Sequence, residues 1–366
     1  MTRCLIVRPQ LANQAAGGDA VVYRRLESYL ARRAAVDVLE LAPISRTAQV
    51  VNVAKGIPPE AARYVGARNR AALAERLARA RYDAVLFAHE AAFPLADGPM
   101  PAGARKILYA HNAQSLIAST DNSPTGRLLR MRAVAFDRRW FGDGGADVIC
   151  ISRADLLGLR RIGVDRADLR VAPPGAPPSV ALAARPGVIP ELVLTGSYAW
   201  WRKRRDLLRF AARPPLAYPI LTDNETALAA LGGQARAVGP AGIDWSAGLR
   251  FALITDRFQG GFKLKSLEYV ALNGLILSFC DLSAEFEGLP HAGEFVRRVA
   301  SKAQVAAEIS AVMAQPPAEV LARFAAFKAA CLARYEWDRC LQPLGEAVDS
   351  AAAQDSAGEP SAPAGG

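Results

Sequence analysis

Short apolar runs alternate with longer amphipathic ones along this chain, and that rhythm restricts what it can fold into. In the first half the apolar runs fall at residues 4–7, 36–41, 84–88, 106–110, 148–151 and 169–172. Segments with helical spacing lie between them, near residues 19–33, 58–81, 124–142 and 153–162. Alternation of this kind predicts a parallel sheet covered on both faces, with ligands received at the carboxyl ends of its strands.

The run Pro173-Pro174-Gly175-Ala176-Pro177-Pro178 breaks the rhythm. It reads as the start of an interdomain passage, because proline and glycine interrupt both regular structures. A second set of strands follows at 192–195, 219–222, 235–238, 250–255 and 275–279, again separated by helical stretches. From 301 to 350 the apolar residues recur at helical spacing, as in Ala306, Ile309 and Val312 and then Val320, Phe324 and Phe327. The expectation is an α/β protein. Residues 1–178 form one Rossmann-like, doubly wound domain, 179–190 a linker and 191–330 a second such domain. A C-terminal helix over 331–350 packs back on both, and 351–366 is a disordered tail rich in alanine, serine, proline and glycine. Two such domains face each other across a cleft.

At 366 residues, 51% of them hydrophobic and 22% charged, the chain has the composition of a globular protein large enough for two cores. No apolar run approaches the roughly 18 residues needed to cross a membrane, so the expected location is the cytoplasm. The five cysteines are scattered without C-x-x-C spacing and read as reduced core residues. His89, His111 and His291 are far apart and show no metal-ligand pattern, and no D-x-D pair is present. No metal or resident cofactor is therefore expected. A net charge of +10 points to anionic partners. Nucleic acid is not favoured, since no recognisable nucleic-acid module accompanies the charge.

The most informative segment is R-F-Q-G-G-F-K-L-K-S-L-E-Y-V-A-L-N-G, residues 257–274. It reads as a strand end, a glycine turn at Gly260-Gly261, and a short helix followed by another strand. Glycines let a backbone approach a ligand closely, and the start of a helix offers N–H groups and a positive dipole end to an anion. Steps of about 100° per residue place Gly261, Lys265 and Glu268 on one face, beside an apolar stripe of Leu264, Leu267 and Ala271. The segment can hold a nucleotide by its phosphates and its ribose. The alternative is an ordinary amphipathic helix with a Lys265/Glu268 pair at i, i+3.

Two halves of this kind, together with the match of Gly260, Gly261, Lys263, Leu264, Lys265, Leu267, Glu268, Ala271 and Gly274 to G-G-x-[RK]-L-K-x-L-E-x-x-A-x-x-G, resemble the family 4 glycosyltransferases of the GT-B fold. The resemblance implies that Glu268 holds the ribose of a nucleotide-diphosphate sugar. Gly260, Gly261 and Lys263 or Lys265 would hold its diphosphate. Many members carry a glutamate where this chain has Gly260, and that departure removes the residue that would speak to the donor sugar.

Residues 192–205 look like the family's first strand-turn of the donor domain, with Gly196 and Ser197 in the turn and Arg202 and Lys203 facing the diphosphate. The plainer reading is a basic helix start capped by Ser197. Gly17-Gly18 matches the family's glycine pair against donor phosphate and acceptor. His111-Asn112-Ala113-Gln114 resembles its strand-end H-N-x-E, with Gln114 replacing the acid, and the resemblance makes His111 the catalytic candidate. His89 is a weaker candidate for the same place.

Tyr335-Glu336-Trp337-Asp338 looks like the family's F-S-W-D and reads as structural. Residues 126–141 mix arginines and apolar residues at helical spacing. They fit a core helix with solvated arginines, or a helix resting on an anionic membrane surface.

The implied activity is transfer of a sugar, with retention of anomeric configuration, to a glycan or lipid-linked acceptor in surface polysaccharide or glycoconjugate assembly. A nucleotide-sugar epimerase of the same architecture and a non-catalytic nucleotide- or glycan-binding protein are the alternatives.

Overall fold

The computed structural model describes residues 2–10, 17–118, 123–142, 144–239 and 242–356, with side chains as far as Ala351. The chain forms two compact units. One comprises Met1–Pro174, Gly260–Phe262 and Cys340–Gly366, and the other Gly175–Gln259 and Lys263–Arg339.

The sheet of the first unit contains β1 (Arg3–Pro9), β2 (Ala35–Leu41), β3 (Ala84–Ala88), β4 (Arg105–Ala110), β5 (Asp147–Cys150) and β6 (Arg170–Val171). Every pairing is parallel, in the order β2-β1-β3-β4-β5-β6. Continuous apolar runs such as Cys4-Leu5-Ile6-Val7 and all of β3 are fully buried, as strands covered on both faces require. The strand order reverses between β1 and β3. That reversal opens a crevice at the carboxyl ends of these two strands.

The second unit repeats the plan with β7 (Gly187–Val193), β8 (Ile220–Thr222), β9 (Ala235–Ala237), β10 (Gly248–Ile254), β11 (Gly274–Ser278) and β12 (Val296–Arg298). Its order is β12-β11-β10-β7-β8-β9, all parallel, so the reversal falls between β7 and β10. The GT-B expectation of two doubly wound sheets is met.

Several boundaries differ from the sequence reading, each for a local reason. β7 begins at Gly187, inside the stretch read as linker, and carries Pro190 where its register against β10 shifts between Leu249 and Phe251. A proline in a central strand is tolerated at such an irregularity, where no ladder hydrogen bond is lost. β12 follows directly on a short helix (Ala292–Phe295) and reads Val-Arg-Arg, with a single apolar residue and so no strand signal of its own. Gly261 lies before the helix rather than on it, since the helix spans Leu264–Ala271 with Lys263 as its N-cap.

Helical structure at the C-terminus is divided into Lys302–Met313, Pro317–Arg334 and Trp337–Ser356. The last continues six residues into the stretch read as a disordered tail, and residues 357–366 of that tail lie outside the described residues. Its buried stripe of Cys340, Leu341, Leu344, Ala347, Val348 and Ala351 has the i, i+3, i+4 spacing of a helix packed on a core. Arg33 reaches Asp349 at 2.8 Å and so ties it to the first unit. Tyr335 and Trp337 are structural, as expected: Ala176 N–H donates to the Tyr335 carbonyl at 2.7 Å, and the Trp337 ring lies against the Cα of Gly175.

Lys328 anchors the start of the second unit. Its Nζ donates to the Val180 carbonyl and to Asn273 Oδ1, each at 2.6 Å. Burial of the ammonium lowers its pKa from the ordinary 10.5 to about 8. The unfolded chain therefore binds the proton more tightly than the folded one between those values, and stability gained above pH 10.5 is lost as pH falls through 8. Urea unfolding of wild type and Lys328→Met should show the wild type gaining relative stability as pH rises from about 8 to about 10. A constant difference across that range contradicts the assignment.

Candidate functional site

In the second unit the elements flanking the strand-order reversal converge on one turn. Gly196 follows β7 with φ +118°, a conformation open to glycine, and its carbonyl accepts from Asn224 Nδ2 at 2.8 Å. A Cβ built on Gly196 would stand 3.2 Å from Lys265 Cε and 3.9 Å from Lys265 Nζ, so the lysine side chain lies directly against the turn. Lys265 Nζ pairs with Glu268 Oε2 at 2.8 Å, one helical turn apart, and both side chains remain part-exposed. Beneath them the buried Tyr269 hydroxyl accepts from Thr195 N–H at 3.0 Å and meets Thr195 Oγ1 at 3.1 Å, which fixes the turn to the helix. The pair Lys265/Glu268 and the glycine turn thus form one surface at the switch point.

The other cations expected there are placed differently. Lys203 sits 3.9 Å from Asp256, just past the end of β10, and is part-exposed. Arg202 is buried, its guanidinium 4.6 Å from the centre of the Trp201 ring. Lys263 lies over the Phe258 ring at 3.9 Å. Ser197 is exposed and does not cap the helix Trp201–Ala211, whose N-cap is Trp200.

Gly260 and Gly261 belong to the first unit, and their role differs from the expected phosphate turn. Both have positive φ, +96° and +66°. A Cβ on Gly260 would stand 3.2 to 3.3 Å from Ile117, Ala113 and Leu116, and one on Gly261 would strike Asn112 Oδ1 and the His111 carbonyl. Gly261 N–H donates to both carboxylate oxygens of Asp155, at 3.0 and 3.1 Å, and is not available to a phosphate. The close approach that these glycines permit is to the chain's own 111–117 segment. The sequence shows the glycines but not which surface they approach.

That segment leaves β4 and is held by three buried carboxylates. Glu90 accepts from His111 N–H at 3.0 Å, Asn112 N–H at 3.1 Å and Gln114 Nε2 at 2.9 Å. Asp155 accepts from Ala113 N–H at 2.8 Å, and Asp137 from Gln114 and Ser115 N–H at 3.1 and 2.8 Å. Burial pushes the Asp137 carboxyl up to about 7 and the Asp155 carboxyl upward, against the amide hydrogen bonds that pull both down. None of the three stands out as a site residue in the sequence. Glu90 directly follows a strand-end histidine, and Ser152-Arg153-Ala154-Asp155 has capping-box spacing, so signals for both are present.

His111 directly follows β4 with its side chain 2% exposed, and its Nδ1 meets Asp19 Oδ1 at 3.0 Å. Asp19 lies in the first turn of the helix Gly18–Ala31, just past Gly17 and Gly18, which are exposed. One ligand atom each of Asp19, His89 and His111 lie within 4.8 Å of one another, a spacing that a metal ion could also use. Asp19 is the acid that the sequence reading passes over.

Gly261→Ala combines a left-handed backbone with a collision against backbone, and should destabilise the protein by about 3 kcal/mol or more. Asp155→Ala strands two buried amides and should cost about 2–4 kcal/mol. Chemical unfolding of both variants checks this, and wild-type stability in either would contradict the packing described.

The family model of Glycosyltransferase Family 4 matches residues 16–180. No curated protein sequence matches the chain. Among solved structures it is similar to a sucrose-phosphate synthase from Thermosynechococcus elongatus, at 15% identity over 96% of this chain and 99% of that one, with a TM-score of 0.66. An α,α-trehalose 6-phosphate synthase from Burkholderia multivorans aligns at 15% identity over 97% and 100%, TM-score 0.60. HepE from Anabaena, solved with UDP and glucose, aligns at 13% over 96% and 100%, TM-score 0.59. At these identities the structural likeness establishes the fold alone, and the family match covers less than half of the chain. The chain has the GT-B fold, and residues 16–180 of it match the family model of Glycosyltransferase Family 4.

Proposed function

We propose that this protein transfers a sugar from a nucleotide-diphosphate sugar to a glycan or lipid-linked acceptor, with retention and without a divalent metal. The observation that carries the reading is the surface made by Gly196, Lys265 and Glu268 at the switch point of the second sheet. Such a crevice is where doubly wound sheets receive nucleotides. Lys265 supplies a cation beside a glycine turn, and Glu268 a part-exposed carboxylate suited to paired ribose hydroxyls. The family match of residues 16–180 and the UDP and glucose held by HepE support the same chemistry.

In this reading the diphosphate rests on the Gly196-Ser197 turn with Lys265 and Lys203 close by. Charge grows on the leaving diphosphate as its bond to the sugar breaks, and a fixed ammonium stabilises that charge more than the ground state. Binding would exchange the Lys265–Glu268 ion pair for phosphate and ribose contacts. Arg202, stacked on Trp201, acts through the shape of the turn. Gly260 and Gly261 act by holding the 111–117 segment, and His111 belongs to the sugar-handling side in the first unit.

A thermal-shift screen across uridine, guanosine and adenosine nucleotide sugars should find one stabilising class. Glu268→Ala should weaken that nucleotide by about 10- to 100-fold while leaving the melting temperature of the free protein unchanged. Unaltered affinity would refute the ribose role. Proton NMR of the product's anomeric centre decides retention.

A surface of the first unit supports membrane contact during reaction with a lipid-linked acceptor. The helix Pro124–Phe141 exposes Leu128 and Met131 beside Arg127 and Arg130. The helix Arg46–Ala54 buries none of its residues, exposes Val50 and Val51, and is joined to the first by Arg132 Nη1 donating to the Val53 carbonyl at 2.7 Å. Apolar side chains ringed by arginine suit an anionic interface. Met131→Asp should abolish sedimentation with phosphatidylglycerol vesicles, and vesicle binding unaffected by that change would contradict the proposal.

A further inference from the structure

Two buried phenylalanines of the second unit each have a cation against the ring. Phe210, on the helix Trp201–Ala211, and Phe279, directly after β11, pack edge to face with their ring centroids 5.8 Å apart. The guanidinium of Arg257, three residues past β10, lies 4.4 Å from the centre of the Phe279 ring, and Lys302 Nζ lies 4.6 Å from that of Phe210. Arg209 precedes Phe210 and Arg213 follows it just past the helix end, and both are exposed.

The charges gathered here are not balanced from within. Asp206 is fully buried; its Oδ2 accepts the Arg257 N–H at 2.8 Å, and its Oδ1 stands 3.5 Å from Arg205 Nε and 3.8 Å from Arg209 Nη1. Among the described residues neither Arg213 nor Arg257 forms an ion pair or donates a side-chain hydrogen bond. Burial first and Arg213 next lower the pKa of Arg257, and burial and then Arg213 lower that of Lys302. Arg213 is thus within electrostatic reach of both. The carbonyl end of a helix favours basic residues, and Lys302 Nζ donates to the Arg213 carbonyl and to Gln234 Oε1, each at 3.0 Å. That accounts for Lys302 and for a basic last turn. It does not account for Arg257, which comes from a different element and adds a like charge to the same place.

We propose that Arg209, Arg213 and Arg257 form a seat for a phosphate dianion, separate from the nucleotide surface at Gly196. One guanidinium fork matches the two oxygens of a carboxylate, whereas guanidiniums brought from two elements call for the further oxygens of a phosphate. Lys302 covers the carbonyl end of the helix, which would otherwise repel an anion. Six residues separate Lys203 from Arg209, about 9 Å along the helix at 1.5 Å per residue. Asp256 turns to Lys203 while Arg257 turns to Phe279, so the two cationic places diverge from adjacent residues. The phosphate arrives either as a soluble ion or monoester or as the headgroup of an anionic lipid. The seat does not depend on the transferase reading.

Calorimetric titration of the full chain with inorganic phosphate, against chloride at equal ionic strength, tests it. Lys265→Ala, which removes the cation of the nucleotide surface, should bind phosphate as the wild type does. Arg213→Gln and Arg257→Gln should weaken phosphate by about tenfold or more. Arg213 is exposed, so its variant folds, and in phosphate-free buffer it should melt no lower than wild type because a repulsion has been removed. Phosphate binding that is equal in wild type and Arg213→Gln, that is lost in Lys265→Ala, or that chloride reproduces overturns the proposal. Two results support it and assign the source. Sedimentation of Met131→Asp with phosphatidic acid vesicles, abolished by adding Arg213→Gln, identifies a lipid headgroup; calorimetric binding without sedimentation identifies a soluble phosphate. Wild-type protein that binds phosphate at this seat but no nucleotide would refute the donor-site reading alone.

Discussion

One buried carboxylate, Asp155, holds together the turn that follows β4 in the first unit. It accepts the amides of Ala113 and Gly261 and the Ser152 hydroxyl, with no solvent to share the work. The 111–117 segment could not be pinned behind His111 by side-chain packing alone, because its amides point inward and need acceptors. Glu90 and Asp137 complete the set. Burying three carboxylates is unfavourable on its own, and it is tolerated because backbone N–H groups replace the lost water. The result is a fixed backbone for the segment that begins at His111.

This arrangement changes what the glycine pair means. Gly260 and Gly261 carry positive φ and would collide with Asn112, His111, Ala113 and Ile117 if they bore side chains. Their conformational freedom serves an internal contact. The turn that stands open beside a cation is instead at Gly196, where Lys265 lies alongside and Tyr269 locks the backbone from below. The two switch points differ in charge. The second sheet carries Lys265 and Lys203, and the first carries Asp19 beside His89 and His111.

Much of the fold is legible in the sequence because strands buried on both faces are continuous apolar runs. Cys4-Leu5-Ile6-Val7 and residues 84–88 could hardly be anything else. β7 reads too short because Pro190 argues against a strand until the register shift beside it is known. The stretch after Ser350 reads as disordered from its composition, yet the helix persists because the stripe from Cys340 to Ala351 is already committed to a core. At the site, Lys265 and Glu268 are legible as a face of a helix, since their pairing is local. Asp19, Glu90 and Asp155 are not, because their partners lie between 21 and 106 positions away in sequence and only the strand order brings them together.

The claim that the second unit binds a nucleotide diphosphate at its switch point is tested most directly by hydrogen–deuterium exchange on the intact protein with and without the nucleotide that stabilises it. The account predicts slowed exchange in peptides spanning residues 195–203 and 263–269, with residues 17–19 and 111–117 unaffected until a sugar is attached. Protection confined to the first unit, or no protection in either of those two peptides, would contradict it.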